Sequence, residues 1–178
     1  MAPGILTSHT DNTTGERAKD SFVIREAGRR DLDSIAALWR EMMNFHVSLD
    51  PRFRLAKNAD RDMNRHLFET LRSREARIAV ADAGDQLIGF ATAELHAMRP
   101  LYPAGKYGLI SDVCVTEAWR RIGVGRALAQ DLLEWFRSKR VTTVELYVGA
   151  LNPVSIAFWE ALGFRDFLRL KRLELPEV

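Results

Sequence analysis

The chain has 178 residues, of which 47% are hydrophobic and 28% charged, and its formal net charge is +2. These values predict one globular domain with a single buried core. The net charge is small and basic residues do not cluster with aromatic ones, so no nucleic-acid partner is expected. No apolar stretch approaches membrane-spanning length, so no membrane partner is expected either. The single cysteine, Cys114, excludes an intrachain disulfide, and together with the lack of a secretory signal it predicts a cytoplasmic setting.

The N-terminal region consists of a polar segment followed by the start of a folded domain. Residues 1–20 are polar and lack an apolar period, which predicts a flexible N-terminal tail. Residues 21–178 contain no linker or internal repeat and are predicted to form a single domain. The first element of this domain is a short strand at Phe22–Arg25.

Two helices are predicted next. Asp31 is expected to act as the N-cap of the first, which runs to about His46. Pro51 then interrupts the helical pattern, and the second helix is predicted from Ala59 to Arg72. Apolar residues recur at helical spacing in both helices: Ile35, Leu38, Trp39, Met42 and Phe45 in the first, and Met63, Leu67 and Leu71 in the second.

Three strands are predicted after the helices. The first two are Arg77–Ala81 and Gln86–His96, which are joined by a polar turn, with Gly89 as a candidate bulge. The segment Ala97–Tyr107 contains two prolines and a glycine and is predicted to be a loop. It leads into a third, mostly apolar strand at Leu109–Val115.

The turn after the third strand has the features of an anion site. A strong amphipathic helix follows Gly123 and Gly125, and Arg120 and Arg121 precede them. Glycines allow close approach of a ligand to the backbone. The free amides and the dipole of a helix N-terminus favour an anion, and arginines add charge-assisted hydrogen bonds. The pattern predicts a site for a phosphate or pyrophosphate.

Two nucleotide-binding motifs are alternatives for this turn. A P-loop requires Lys followed by Ser or Thr where Arg126 and Ala127 stand. A dinucleotide fingerprint requires glycines directly after the strand and a small residue where Leu128 stands. Glu145 does lie near the distance expected of a ribose-binding acid, so a nucleotide-binding oxidoreductase stays open as an alternative.

The remaining elements complete a mixed α/β pattern. A strand is predicted at Thr143–Val148, and Asn152 is expected to cap a helix that Gly163 closes. A final strand is predicted at Phe164–Glu174. The expected fold class is therefore α/β, with a central mixed sheet flanked by helices.

Two motifs in this order resemble those of the GNAT superfamily of N-acetyltransferases. Arg120-x-x-Gly123-x-Gly125 is similar to the acyl-CoA pyrophosphate loop of that family, and Asn152–Phe164 resembles its second motif, a helix that opens at Asn and ends in Gly-Phe. The motifs cover Leu109–Phe164, about a third of the chain. The resemblance implies a sheet whose two central strands splay apart to hold acyl-CoA.

The resemblance also implies the ligands and the contacting residues. Acetyl-CoA is the expected co-substrate, no metal is expected, the partner is a small-molecule or peptide amine, and a homodimer is common among such domains. The residues implied in cofactor binding are Val113, Cys114, Val115, Arg120, Arg121, Ile122, Gly123, Val124, Gly125, Arg126, Asn152 and Trp159.

Acetyl transfer requires a base for the amine, and two carboxylates are candidates. Glu94 shares one face of its strand with Thr92 and His96, and Asp112 lies on the strand that follows. Some family members carry an acid where this chain has Ser111. A base that acts through water is a further alternative. Glu94 also has a structural explanation without catalysis, which is an ion pair with an arginine such as Arg99.

Two residues bear on other mechanisms. Cys114 lies in an apolar strand without an accompanying histidine arrangement, so it is expected to be a small core residue. Trp159 stands where the family often has a tyrosine that protonates the leaving thiolate, and an indole is not an acid of that kind. That role is then vacant or is filled by water or a group such as Tyr147.

The resemblance therefore implies direct acetyl transfer from acetyl-CoA to a primary amine in a ternary complex. The alternative is a CoA-binding sensor or partner module without catalysis. The resemblance implies that Phe45–Asn58 and Ala97–Tyr107 shape the acceptor pocket, where Arg52, Arg54 and Arg99 favour an acidic acceptor.

Overall fold

A computed structural model describes residues 21–98, 100–101 and 105–175. Its strands are β1 (Val23–Glu26), β2 (Ala76–Asp82), β3 (Leu87–Ala97), β4 (Lys106–Val115) and β5 (Val144–Leu146), and its helices are α1 (Leu32–Leu49), α2 (Ala59–Arg72), α3 (Val124–Ser138) and α4 (Pro153–Ala161). The strands form one sheet in the order β1-β2-β3-β4-β5, antiparallel except for the parallel pair β4–β5. The mixed α/β fold predicted from the sequence is confirmed. The tail predicted for residues 1–20 lies outside the described residues.

Helices cover both faces of the sheet. On one face, α3 packs Leu128, Leu132 and Phe136 against the sheet. On the other, α1 and α2 pack Ile35 and Leu67 against it. Each of these side chains is at most 2% exposed, and burial of one such side chain contributes about 1.5–3 kcal/mol to folding. Within the described ranges, no helix is long and apolar enough to span a bilayer.

The long pairing of β3 with β4 extends further than the sequence pattern indicates. Ala97 pairs with Lys106 and His96 with Tyr107. β4 therefore begins three residues before the predicted Leu109, at positions assigned to the loop. Polar and glycine residues are held there by ladder hydrogen bonds to β3, which is a tertiary effect that local propensity does not reveal.

Asp31 does not cap α1 as predicted. Its carboxylate makes no capping bond to the helix. Instead it accepts from the Arg25 guanidinium at 2.7 and 2.9 Å and from the Gly28 amide at 2.7 Å. Arg25 also donates to Asp82 at 2.8 Å. These bonds lower the pKa of Asp31, with the Arg25 hydrogen bonds as the largest cause. The residue therefore connects β1 to the start of α1.

The predicted final strand at Phe164–Glu174 is wrong for this chain. After α4, Gly163 adopts φ 96° and Phe164 packs against the core beside α3. Residues 165–175 have no regular secondary structure and form no ladder within the described part of the chain, and their large apolar side chains are exposed. The preceding strand is also shorter than predicted, since β5 covers only Val144–Leu146.

The glycine at the candidate bulge is held by close packing. Ala81 pairs with Gly89 and Asp82 with Leu87, so Ile88 is the extra residue of the bulge. A Cβ at Gly89 would lie 2.6 Å from the carbonyl oxygen of Cys114. A backbone atom in a central strand cannot easily move away.

Gly89→Ala is therefore expected to destabilise the fold by about 1–3 kcal/mol. The thermal midpoint should fall by roughly 2–4 °C per kcal/mol in a domain of this size. Gly105→Ala is the matched control, because no atom of the residues that the structure describes lies within 4 Å of a Cβ at Gly105. Equal midpoints for the two variants in a circular dichroism melt would contradict this packing explanation.

Candidate active site

The central strands β4 and β5 part midway along β4. Their register runs from Gly108 beside Val144 to Ile110 beside Leu146, and the pairing ends there. β4 continues to Val115 beside β3 alone. Among the described residues, the backbone of Val113–Val115 therefore has no ladder partner on its β5 side, which agrees with the splay that the family resemblance implied.

A bulge in β4 lies at the point where the strands part. Thr92 pairs with Asp112 and Ala93 with Ile110, so Ser111 is the extra residue. Such a residue bends its strand away from a neighbour. The buried Thr92 fixes the bulge, because its hydroxyl donates to the Asp112 carboxylate at 3.1 Å and accepts from the Asp112 amide at 3.1 Å.

The loop from β4 to α3 contains two residues with positive φ. Arg121 has φ 70° and Gly123 has φ 98°, both in the left-handed region. Backbone of this kind can aim successive amides at one anion. The first helical bond is from the Ala127 amide to the Gly123 carbonyl at 3.0 Å. The amides of Val124–Arg126 therefore precede the helical hydrogen bonds and lie at the positive end of the α3 dipole.

The two loop glycines leave room for a ligand at this point. Within the described part of the chain, no atom lies within 4 Å of a Cβ at Gly123. A Cβ at Gly125 would contact the Phe158 ring at 3.5 Å and Val115 at 3.7 Å. The space between the ends of β4, α3 and α4 is thus kept open by the absence of a side chain. Its form and its donor groups fit a pyrophosphate.

Arg120 is held against α1. Its Nε donates to the Val115 carbonyl at 2.9 Å, one Nη lies 3.5 Å from the Glu41 carboxylate, and its guanidinium lies 5.6 Å from the centre of the Phe45 ring. Glu41 also accepts from the Thr116 hydroxyl at 3.1 Å. Arg121, Ile122 and Arg126 are exposed. Arg120, which is exposed as well, therefore braces the loop through its guanidinium.

Carboxylates and histidines gather on the α1/α2 face of the sheet. Glu94 lies 3.3 Å from His96 and 3.8 Å from His66 of α2. Burial raises the pKa of Asp112. The same effect lowers the pKa of His46 on α1, against a smaller opposite influence of Asp112. These groups can accept or relay a proton. The suggested partner of Glu94, Arg99, lies outside the described residues.

The side chains of three other predicted site residues are used in packing or in helix capping. Cys114 is 4% exposed, its sulfur contacts the Leu38 carbonyl at 3.4 Å, and burial raises the pKa of its thiol to about 12. Asn152 is buried and accepts from the Ser155 amide at 3.0 Å, as an N-cap does. Trp159 packs edge-on against the rings of Phe158 and Phe164. Their side chains therefore serve the core and the α4 cap.

The sequence reasoning did not identify Glu41 or His66 as parts of this region. Both lie on polar faces of helices, where nothing local distinguishes them from solvated residues. The role of Thr92 was foreseeable in part, since strand alternation places it on the same face as Glu94. Within residues 21–98, 100–101 and 105–175, no group of three potential ligands could hold a metal ion.

Two curated relatives match part of the chain. A mycothiol acetyltransferase from Renibacterium salmoninarum is 29% identical over 89 residues, covering 49% of this chain and 25% of the relative. A glucosamine 6-phosphate N-acetyltransferase from Trypanosoma brucei brucei is 43% identical over 68 residues, covering 38% of this chain and 44% of the relative. The aligned segments thus span less than half the length of these relatives.

The fold recurs in a solved structure. A predicted acetyltransferase from Clostridium acetobutylicum, solved with acetyl-CoA, superposes with a TM-score of 0.71 at 16% identity, covering 86% of this chain and 96% of that one. The sequence model of the Acetyltransferase (GNAT) family matches residues 36–164, which is well over half of the chain. This protein therefore belongs to the GNAT acetyltransferase family.

Proposed function

We propose that the protein transfers an acetyl group from acetyl-CoA directly to a primary amine in a ternary complex. The carrying observation is the arrangement around β4. The β4–β5 pairing ends before Val113–Val115, the glycine loop (Arg120–Gly125) follows at the end of β4, and the Asp112 carboxylate lies beside Thr92 on the same strand pair. One strand thus connects an anion site, a cleft and a proton acceptor.

The cofactor end of the proposal uses the loop between β4 and α3. The pyrophosphate would accept hydrogen bonds from amides between Arg121 and Arg126, aided by the α3 dipole. Pantetheine would run along Val113–Val115, where backbone groups can bond it. Family likeness and the fit of the loop support this assignment, and it needs no contact from the buried Cys114 or Trp159 side chains.

The proposed chemistry has three parts. The amine nitrogen bonds to the acyl carbon, its proton passes to a base, and the carbon–sulfur bond breaks as CoA leaves with the electron pair. The negative charge on the acyl oxygen requires a donor. By family resemblance this is a backbone amide near Val113. A covalent intermediate on Cys114 is not part of the proposal, because burial raises the pKa of that thiol to about 12.

We assign the proton acceptor to Asp112 ahead of Glu94. Asp112 follows the bulge at the level where the cleft begins, whereas Glu94 pairs with Leu109, before the strands part. The pKa of the Asp112 carboxyl is raised, which brings it closer to the pKa of an amine and favours proton transfer. Glu94, with His66 and His96, is placed to attract the ammonium form of the acceptor.

Trp159→Phe is expected to keep kcat within about tenfold, or about 1.4 kcal/mol in barrier. The indole lies among aromatic rings and supplies no acid, and a thiol with a reference pKa of about 8.5 is a fair leaving group without one. Steady-state acetylation of one accepted amine measures this. Loss of turnover in a variant that remains folded would show that the position has a chemical role.

An amine screen with detection of released CoA thiol tests the function itself. The panel should contain polyamines, amino acids, aminoglycosides, peptide N-termini and glucosamine 6-phosphate. When the concentrations of both substrates are varied, intersecting lines in the double-reciprocal plot of initial rates support a ternary complex. Parallel lines would contradict it. CoA binding without turnover of any amine would favour the binding-module alternative. Arg52 does not favour an acidic acceptor as the sequence indicated, because its guanidinium is already paired with the Asp50 carboxylate.

A further inference from the structure

The hydroxyl of Thr92 makes both of its hydrogen bonds to one residue. It accepts from the Asp112 amide at 3.1 Å and donates to the Asp112 carboxylate at 3.1 Å. The amide proton uses a lone pair of the hydroxyl oxygen, so the single hydroxyl proton is left for the carboxylate. Thr92 is 1% exposed, so water has little access to either bond. The hydroxyl therefore connects the backbone of Asp112 to its own side chain.

This pair of hydrogen bonds restricts the orientation of the Asp112 carboxylate. A side chain that is held to its own backbone through a neighbour loses rotational freedom, and a β-branched threonine is itself stiff about its first torsion. The bond from Thr92 is to Oδ2 of Asp112, and within the described ranges Oδ1 accepts no hydrogen bond. Oδ1 is thus left to accept a proton, while Oδ2 fixes the direction of the group.

The hydroxyl acts at the point where the ladder is weakest. Thr92 pairs with Asp112 and Ala93 pairs with Ile110, so Asp112 is the first residue beyond the bulge in β4. A bulge disrupts the ladder locally, which leaves the residue beside it less restrained. Thr92 itself lies in β3, which is paired on its other side with Ile78 of β2. A rigid central strand therefore supplies the restraint that the bulge removes.

The same hydroxyl favours the charged form of the carboxylate. Burial raises the pKa of Asp112, and the hydrogen bond from Thr92 is the largest influence in the opposite direction. Four titratable side chains interact with this carboxyl from the neighbouring elements: His66 of α2, His46 of α1, Glu94 of β3 and Cys114 of β4 itself. The two histidines act in the same direction as Thr92 but more weakly, and the glutamate acts against them. The buried thiol stays neutral, because its pKa is raised to about 12.

We propose that Thr92 is a positioning residue for acetyl transfer, which aims the Asp112 carboxylate at the acceptor amine and favours its charged form. This inference rests on the proposed role of Asp112 as the base. The amine proton passes to Oδ1 of Asp112, and Thr92 keeps its own proton throughout. Thr92 contacts neither the amine nor the acetyl group, so its whole effect is exerted through Asp112.

Thr92→Val tests the hydroxyl, because valine keeps the branched shape and removes both hydrogen bonds. We expect kcat to fall by at least about tenfold, since a misdirected base loses much of its effect. The acid limb of the kcat–pH profile should move to higher pH, because the charged carboxylate has lost a hydrogen-bond donor. The KM for the amine should change less than kcat. Thr92→Ser restores the hydroxyl and should return the limb to its position in the parent.

Thr70→Val is the matched control. Thr70 is also buried, at 5% exposed, but it lies on α2 and makes no hydrogen bond to Asp112. Its acid limb should coincide with that of the parent. Thermal midpoints of all variants give the effect on folding. If Thr92→Val lowers the midpoint and kcat but leaves the acid limb unmoved, the role of Thr92 is structural and the proposal is wrong.

Carbon NMR titration of the aspartate carboxyl groups measures the pKa of Asp112 without turnover. The signal is identified by its loss in Asp112→Asn. A higher pKa in Thr92→Val than in the parent and in Thr70→Val supports the proposal, and equal values would overturn it. An acid limb that persists in Asp112→Asn would overturn the assignment of the base together with this proposal. A limb that disappears in Asp112→Asn but does not move in Thr92→Val would overturn the role of Thr92 alone.

Discussion

Gly125→Glu is expected to weaken CoA binding by at least about 100-fold, which corresponds to about 2.7 kcal/mol. The new carboxylate would enter the space where we propose the pyrophosphate binds, so it would repel the ligand and block its approach. A Cβ at this position meets only ordinary van der Waals contacts with Phe158 and Val115. The thermal midpoint should therefore change little. Isothermal titration with CoA measures the affinity.

The matched control is Gln130→Glu, which adds the same charge to an exposed position of the same helix. CoA affinity should be almost unchanged in this variant. Gly123→Asp is a poorer choice, because φ 98° at Gly123 strains any side chain and would confuse affinity with folding. If Gly125→Glu binds CoA as the parent does, the glycine loop is not the phosphate site.

Asp112→Asn is expected to lower kcat by about 10²–10⁴, the usual contribution of a general base. Asparagine is close in size and can still accept the hydrogen bond from Thr92. Folding should not suffer. The pKa of Asp112 is raised in the folded protein, so its contribution to stability decreases as the pH rises through that pKa. At neutral pH the free energy of unfolding of Asp112→Asn should equal or exceed that of the parent. A loss of activity in this variant would then reflect catalysis and not misfolding.

The pH–rate profile shows whether Asp112 acts as a base. A base must be deprotonated, so the rate of the parent should fall as the pH drops through the pKa of Asp112. Burial places this limb above the reference value of about 3.9 for aspartate. The limb should disappear from the residual activity of Asp112→Asn. Glu94→Gln is the comparison variant, and a larger loss there than in Asp112→Asn would transfer the role of base to Glu94.

Local chemistry made much of the fold predictable. Helix α2 spans Ala59–Arg72 as its apolar spacing indicated. Asn152 caps α4 and Gly163 ends it with a positive φ, since both features depend on side-chain and backbone preferences within a few residues. The glycine loop was recognisable for the same reason. Its two glycines stand at a helix start, where few structural roles require them.

Features that depend on distant partners were not predictable. The carboxylate of Asp31 was interpreted as a helix cap, but Arg25 and the Gly28 amide hold it. The pairing of the Arg120 guanidinium with Glu41 on α1 was not predicted either, because the two residues lie more than 70 positions apart in the sequence. The segment Phe164–Glu174 has the apolar pattern of a strand, but it forms no ladder with any other described residue. Sequence spacing predicts which face a residue occupies, but not what it meets there.

The extra residue at Ser111 has a consequence for how this enzyme family member can tolerate length changes. Ile110 faces α3, whereas Asp112 lies beside Thr92 and Cys114 packs against α1. In a regular strand, residues two apart share a face, so the insertion of one residue reverses the parity of everything after it. Deleting Ser111 would let Asp112 follow Ile110 directly, and regular alternation would keep its carboxylate on the face of Thr92. A one-residue deletion at this position is therefore expected to preserve the core while it removes the bulge where β4 parts from β5.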